Sequence, residues 1–362
     1  MTRGFQPNWA SAPGDTIGDL LDRRKLSIAS FSQSLGYNKN AVSSLLQGKI
    51  AITPEIAEKL SIVLGASKSF WLNREAQYRE SLERLKKEGA YRDGVEWLQE
   101  IPVKDMVSFG WIPDTEAIAD KIKSCLKFFN VPDVKSWRDN YQASLSAAAF
   151  RTSLTYESHM AAVCAWIRQG EIQAANIQCK PWNAKKFKDA LISIRALTRK
   201  KNPAIFLPEL KKLCAECGVA VVIVRAPKGC RASGVTKFIS KDKALLQLSF
   251  RYRTDDHFWF TFFHEAGHLL LHNMHDKNAV FLENVDAISI QEETEANDFS
   301  AELLVPSTLH NEMAMLGGDY KLVMRFARKI GVSAGIVVGQ LQHRAYLRQD
   351  QLNYLKTRYV WV

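Results

Sequence analysis

At 362 residues the chain is long enough for two or three domains with sizeable cores, and its 46% hydrophobic and 24% charged residues are the make-up of a soluble globular protein. The net charge of +11 points to a polyanionic partner, nucleic acid ahead of a membrane surface. No apolar run approaches the ~20 residues that span a bilayer, and the polar stretch Met1 to Gly18 has no signal-peptide core, so the expectation is a cytoplasmic protein with no membrane partner. The six cysteines are then expected as reduced thiols. Cys214 and Cys217 form a C-x-x-C, but no second pair follows at zinc-ribbon spacing, so they are expected as two small buried residues.

The first 15 residues read as an arm, with Asp15 or Thr16 capping the helix that follows. From Leu26 to Gly48 the pattern is helix, tight turn at Gly36, second helix from about Asn38, and a stop at Gly48. Phe31, Leu35, Val42 and Leu45 would face inward, which is helix-turn-helix spacing. The outward side chains of the second helix are then Asn38, Lys39, Asn40, Ser43, Ser44 and Gln47. Asn and Gln can read adenine, Lys can read guanine or hold phosphate, and Ser adapts to either, so operator DNA is the expected partner.

The segments Ile52 to Leu60 and Phe70 to Tyr78 resemble the helices that follow the reading helix in HigA-type antitoxins of the XRE-like repressor group. Such repressors often carry Gln at the start of the first motif helix and Glu two positions on; here Ile28 and Ser30 stand there. The resemblance implies action on paired half-sites, and hence a homodimer.

Residues 79–98 carry mixed charges at helical spacing and read as a solvated linker helix. Residues 101–212 read as short helices punctuated by prolines, with Trp137, Phe150, Tyr156, Met160 and Trp166 as core. Residues 180–212 hold ten Lys or Arg against two acidic residues, a face that can track phosphates or simply be solvated. From Gly218 the character changes. Gly218 to Val224 reads as a strand buried on both faces, and Gly234 to Ser240 and Ala244 to Phe250 as two more. Asp255 and Asp256 then open a helix that runs into His264-Glu265-Ala266-Gly267-His268.

Residues four apart share a helix face, so His264 and His268 can offer two imidazoles to one metal ion, with Glu265 beside them as proton acceptor. A catalytic zinc takes three protein ligands and keeps a place for water. Glu292, Glu293 and Glu295 all stand in the acidic block that follows, and spacing alone does not choose among them.

The His-Glu-x-x-His followed by Glu295-Ala296-Asn297-Asp298-Phe299-Ser300-Ala301-Glu302-Leu303-Leu304-Val305-Pro306 resembles the ImmA/IrrE-type metallopeptidases. That resemblance implies Zn2+ held by His264, His268 and Glu295, with Glu265 catalytic and His272 matching a histidine common in the family; His272 and Tyr252 are the candidates for a contact around the site that polarises the carbonyl. It also implies cleavage of a protein substrate, a repressor or a toxin–antitoxin partner. The alternative is a non-catalytic HigA-like antitoxin and autorepressor whose zinc domain serves partner binding or sensing. The expected architecture is α+β: an all-α helix-turn-helix domain at 1–80, a helical connecting region at 81–207, and a zincin-like domain with a small sheet at 208–362. Near the end, Phe326 to Leu341 can be laid on Phe31 to Leu46, a second helix-turn-helix-like unit whose last helix is apolar and expected to pack inside.

Overall fold

A computed structural model describes residues 10–142, 157–249, 251, 253–272, 281–282 and 290–360. Phe150, Tyr156 and Tyr252 lie outside the described residues, as does most of the N-terminal arm. The chain divides into two compact units, residues 1–95 and 96–362. The fold is α+β, and among the described residues no helix is long and apolar enough to cross a membrane.

The first unit is helical. Helix α1 spans Pro13–Arg23, α2 Ile28–Leu35, α3 Lys39–Leu46 and α4 Pro54–Leu64. Helix α5, Lys68–Glu100, carries the boundary between the units near its end. The first of these starts earlier than its capping signals suggest. Pro13 takes the first helical position, where its fixed φ suits the helix and its missing N–H costs nothing. Asp15 therefore sits in the first turn and accepts from the Ala12 N–H at 3.0 Å. Ser27 caps α2 through its Oγ, Gly36 turns the chain at φ 70°, and Asn38 caps α3. Phe31, Leu35, Val42 and Leu45 are buried with Ile17, Leu60 and Trp71 in one core, as the spacing predicts. Gly14 allows α1 to meet α3: a Cβ there would fall 1.7 Å from the Leu46 carbonyl oxygen.

The second unit is built on a four-stranded sheet of order β1-β3-β2-β4: β1 Val219–Ile223, β2 Gly234–Ser240, β3 Lys243–Leu248 and β4 Phe281–Leu282. Strands β1 and β3 pair parallel; β2 pairs antiparallel with both β3 and β4. Side chains alternate across a strand, so Val219 and Val221 enter one core while Ala220 and Val222 enter another. The strand is buried on both faces because helices cover both. On one side lie α6 (Val103–Ser108), α7 (Ile118–Phe129), α8 (Val134–Trp137) and α9 (Glu157–Ala175), with Trp137 and Trp166 in their core. Trp166 donates its indole N–H to the Val224 carbonyl, and Gln247 donates back to the Trp166 carbonyl. Part of the 81–207 segment thus shares its core with the sheet.

The opposite core holds α10 (Ala184–Leu197), α11 (Pro203–Ala215), α12 (Asp255–Leu271), α13 (Ile290–Leu304), α14 (Tyr320–Ile330) and α15 (Ala334–His343). Cys214 and Cys217 are buried here as free thiols, and burial pushes both thiols up, Cys214 well above its ordinary value. Within the basic segment, Arg195 turns inward. Its guanidinium donates to the carbonyls of Leu303, Leu304 and Ile330, the last residues of α13 and α14. Helix ends leave such carbonyls without intrahelical partners, and a cation is well placed there.

Candidate metal centre

Helix α12 opens with Asp255 and Asp256 in its first turn, where the helix dipole favours acid. Its body is apolar on nearly every side, so it runs through the core. His264, Glu265 and His268 are all 0–1% exposed. His264 and His268 stand one turn apart, and their Nε2 atoms lie 3.0 Å from each other.

The partner helix is positioned by small residues. Gly267 has no side chain, and a Cβ there would lie 3.3 Å from Ala296 Cα and 3.1 Å from the Phe299 ring. That close seat, together with the Ser300 hydroxyl donating to the Phe260 carbonyl at 2.9 Å, sets the rotation of α13. Glu293 and Asn297, one turn apart, then face the histidines. Glu293 Oε2 is 3.5 Å from His264 Nε2, and its Oε1 is 3.4 Å from His268 Nε2. These three residues can each direct one donor atom to a common point, all within 4.8 Å of one another.

The structure brings Glu293, not Glu295, to the histidine pair. Two residues along a helix is a rotation of about 200°, so both side chains cannot face the same point. Glu295 reaches instead to His272, with its Oε2 3.2 Å from His272 Nε2, and accepts from Gln291 through Oε1 at 2.9 Å. His272 stands behind the pair, its Nδ1 2.9 Å from His268 Nδ1. Tyr252 lies outside the described residues.

The Glu265 carboxylate meets β2. Its Oε2 accepts from the Thr236 hydroxyl at 2.5 Å, and Gly234 leaves room for the carboxylate, since a Cβ there would sit 2.4 Å from Oε1. Behind His264, Nδ1 lies 3.0 Å from Asn297 Oδ1. Burial, and next the neighbouring His268, push His264 down to about 4, so its imidazole is neutral at pH 7. Burial alone would raise the Glu293 carboxyl, but the His268 hydrogen bond and the surrounding histidines together hold it below the ordinary carboxylate range.

Three contributors were not singled out from sequence. Spacing leaves Glu293 as one of three open glutamates, and the resemblance points to Glu295 instead. Nothing local marks Asn297 or Thr236, because each acts across elements.

On the first unit, Asn38, Lys39, Asn40, Ser43 and Gln47 are exposed and Ser44 is half-buried, so they line the open side of α3. Asn38 spends its Oδ1 on the cap, accepting from the Ala41 N–H at 2.8 Å.

With this geometry in place, comparison with known proteins gives two findings. Residues 238–342 match the peptidase M78 family model, described as an IrrE N-terminal-like domain. The matched span runs from β2 through α12 and α13 to the end of α15, so it contains His264, Glu265, His268 and Glu293. A stretch of 61 residues, 17% of this chain, is 44% identical to the "Uncharacterized HTH-type transcriptional regulator YddM" of Escherichia coli (strain K12), and it spans 65% of that relative's length. Residues 238–342 of the second unit are therefore similar to the IrrE N-terminal-like domain, and a further stretch of the chain is similar to a helix-turn-helix regulator.

Proposed function

We propose that this chain is a DNA-binding transcription regulator whose C-terminal domain is a zinc-dependent endopeptidase acting on a protein partner, a repressor or a component of a toxin–antitoxin pair. The observation that carries it is the convergence of His264 Nε2, His268 Nε2 and the Glu293 carboxylate, with Glu265 adjacent on α12. Two imidazoles and one carboxylate suit Zn2+ with a fourth place open, and the neutral His264 has its Nε2 lone pair available for a metal. The residues present therefore fit the ion. A zinc ion held there would supply Lewis-acid chemistry, lowering the pKa of a water and polarising a peptide carbonyl.

The chain's own residues do the rest. Glu265 takes up a proton from the attacking water on its carboxylate and returns one to the leaving amine nitrogen. Thr236 fixes the orientation of that carboxylate through Oε2. Asn297 and His272 hold the two imidazoles from behind. In the first unit, Lys39, Asn40, Ser43, Ser44 and Gln47 meet base edges or phosphates, Asn38 contributes through its amide nitrogen, and a homodimer reads two half-sites.

Incubating wild type and Glu265→Gln with candidate repressors and toxin partners tests the reading: cleavage is expected with the wild type alone. A second reading, the HigA-like autorepressor with a sensing zinc domain, draws support from the complete burial of Glu265 inside the fold. It predicts that both proteins bind operator DNA and zinc and that neither cuts a partner.

A further inference from the structure

We infer that Glu295, His272 and His268 form a hydrogen-bonded relay from the protein surface to the metal centre, in which Glu295 is a positioning residue and not a ligand. The inference rests on the metal reading above. Its first support is the pair of contacts His272 Nε2 to Glu295 Oε2 at 3.2 Å and His268 Nδ1 to His272 Nδ1 at 2.9 Å.

The chemistry of the groups sets the direction of every proton. An ionised carboxylate only accepts, so His272 Nε2 carries the hydrogen and donates it to Glu295. With its ring hydrogen placed on Nε2, His272 offers Nδ1 as an acceptor. Two Nδ1 atoms at hydrogen-bond distance need one donor and one acceptor, so His268 Nδ1–H donates to His272. His268 is left with a bare Nε2, the atom that faces Glu293 and His264. One exposed carboxylate thereby selects two tautomers in sequence, and the second presents a lone pair to the metal position.

Histidine ligands commonly donate their second N–H to a carboxylate or carbonyl, which fixes the ring and raises its basicity. His264 follows the short form, backed by the neutral amide oxygen of Asn297. His268 follows a longer one, in which a buried imidazole is interposed before the carboxylate. The burial gradient agrees: His268 is fully buried, the His272 side chain is 4% exposed and the Glu295 side chain is 44% exposed. Gln291, one turn before Glu295, donates to its other oxygen and holds the outer end of the relay.

The test is Zn2+ and Co2+ affinity, by competition with a chelator, for the full chain and its variants. Wild type should bind one ion, and Glu293→Gln should lose it. Glu295→Gln should bind about ten- to a hundredfold more weakly while keeping the cobalt absorption of a complete ligand set. His272→Phe should weaken binding to a similar degree, and adding Glu295→Gln to it should cost nothing further, because the two act through one path. Glu295 is exposed, so its variant carries the test even where His272→Phe fails to fold. Wild-type affinity in Glu295→Gln overturns the relay, as does complete loss of metal in that variant or independent, multiplying losses in the double variant. A wild type that binds no metal overturns the metal reading itself, and is told apart by failing before any variant is compared.

Discussion

Two helix pairs in this chain have the same turn and opposite uses. In α2 and α3, Gly36 turns the chain at φ 70° and Asn38 caps the second helix; in α14 and α15, Gly331 does so at φ 77° and Ser333 caps. Phe31 and Phe326 are buried at equivalent places, as are Val42 and Val337. The second helices then diverge. Helix α3 keeps an open polar side. Helix α15 is buried on nearly all sides, and Gly335 and Gly339 let it lie directly on Asp255 and Asp256 at the start of the histidine-bearing helix. Turn geometry is therefore a local property of glycine and cap, whereas use is decided by what the second helix turns outward.

The largest expected effect lies at the buried member of this comparison. Leu341→Ala should cost about 2–5 kcal/mol in urea unfolding, while Ser43→Ala on α3 should stay within about 0.5 kcal/mol. Equal losses at the two positions would erase the distinction. Next comes Asp255, which α15 covers. Burial first, then the charge of Asp256, raise its carboxyl to about 6 from the ordinary 3.8. The folded state thus holds a proton that the unfolded state has released between those values, so stability should fall as pH rises from about 4 to about 6. The contribution is roughly 3 kcal/mol at most. Asp255→Asn should flatten that slope, and an unchanged slope would place the titration elsewhere.

The open member is tested by binding. Asn40→Ala should weaken operator binding by about 1–3 kcal/mol and relax selectivity at one base, with stability unchanged; unaltered affinity would move the reading surface off α3. Smallest is the shared feature. Asn38→Ala and Ser333→Ala should each cost about 1 kcal/mol in unfolding, because both remove a cap of the same kind.

What could be read from the sequence follows the range over which each signal acts. The glycine turn, the inward Phe31 and Val42, the strands and the placement of His264 and His268 on one face all depend on neighbours a few residues away. The choice among three glutamates does not. It depends on how α13 is rotated, which Gly267 and Ala296 settle by contact between helices about thirty residues apart in the chain. Arg195 is a sharper case. In sequence it belongs to a basic run suited to phosphates, yet its donors close the ends of two helices more than a hundred residues on. Likewise the continuous apolar run of β1 announced two covered faces, but not that α9 supplies one of them.

Every role assigned to α12 and α13 depends on the histidine pair and Glu293 forming one metal centre. Metal analysis of the purified protein beside Glu293→Gln tests that directly. About one zinc per wild-type chain is expected and little or none in the variant, with both folded. A folded wild type without metal, or a Glu293→Gln protein that holds zinc as tightly as wild type, would contradict it.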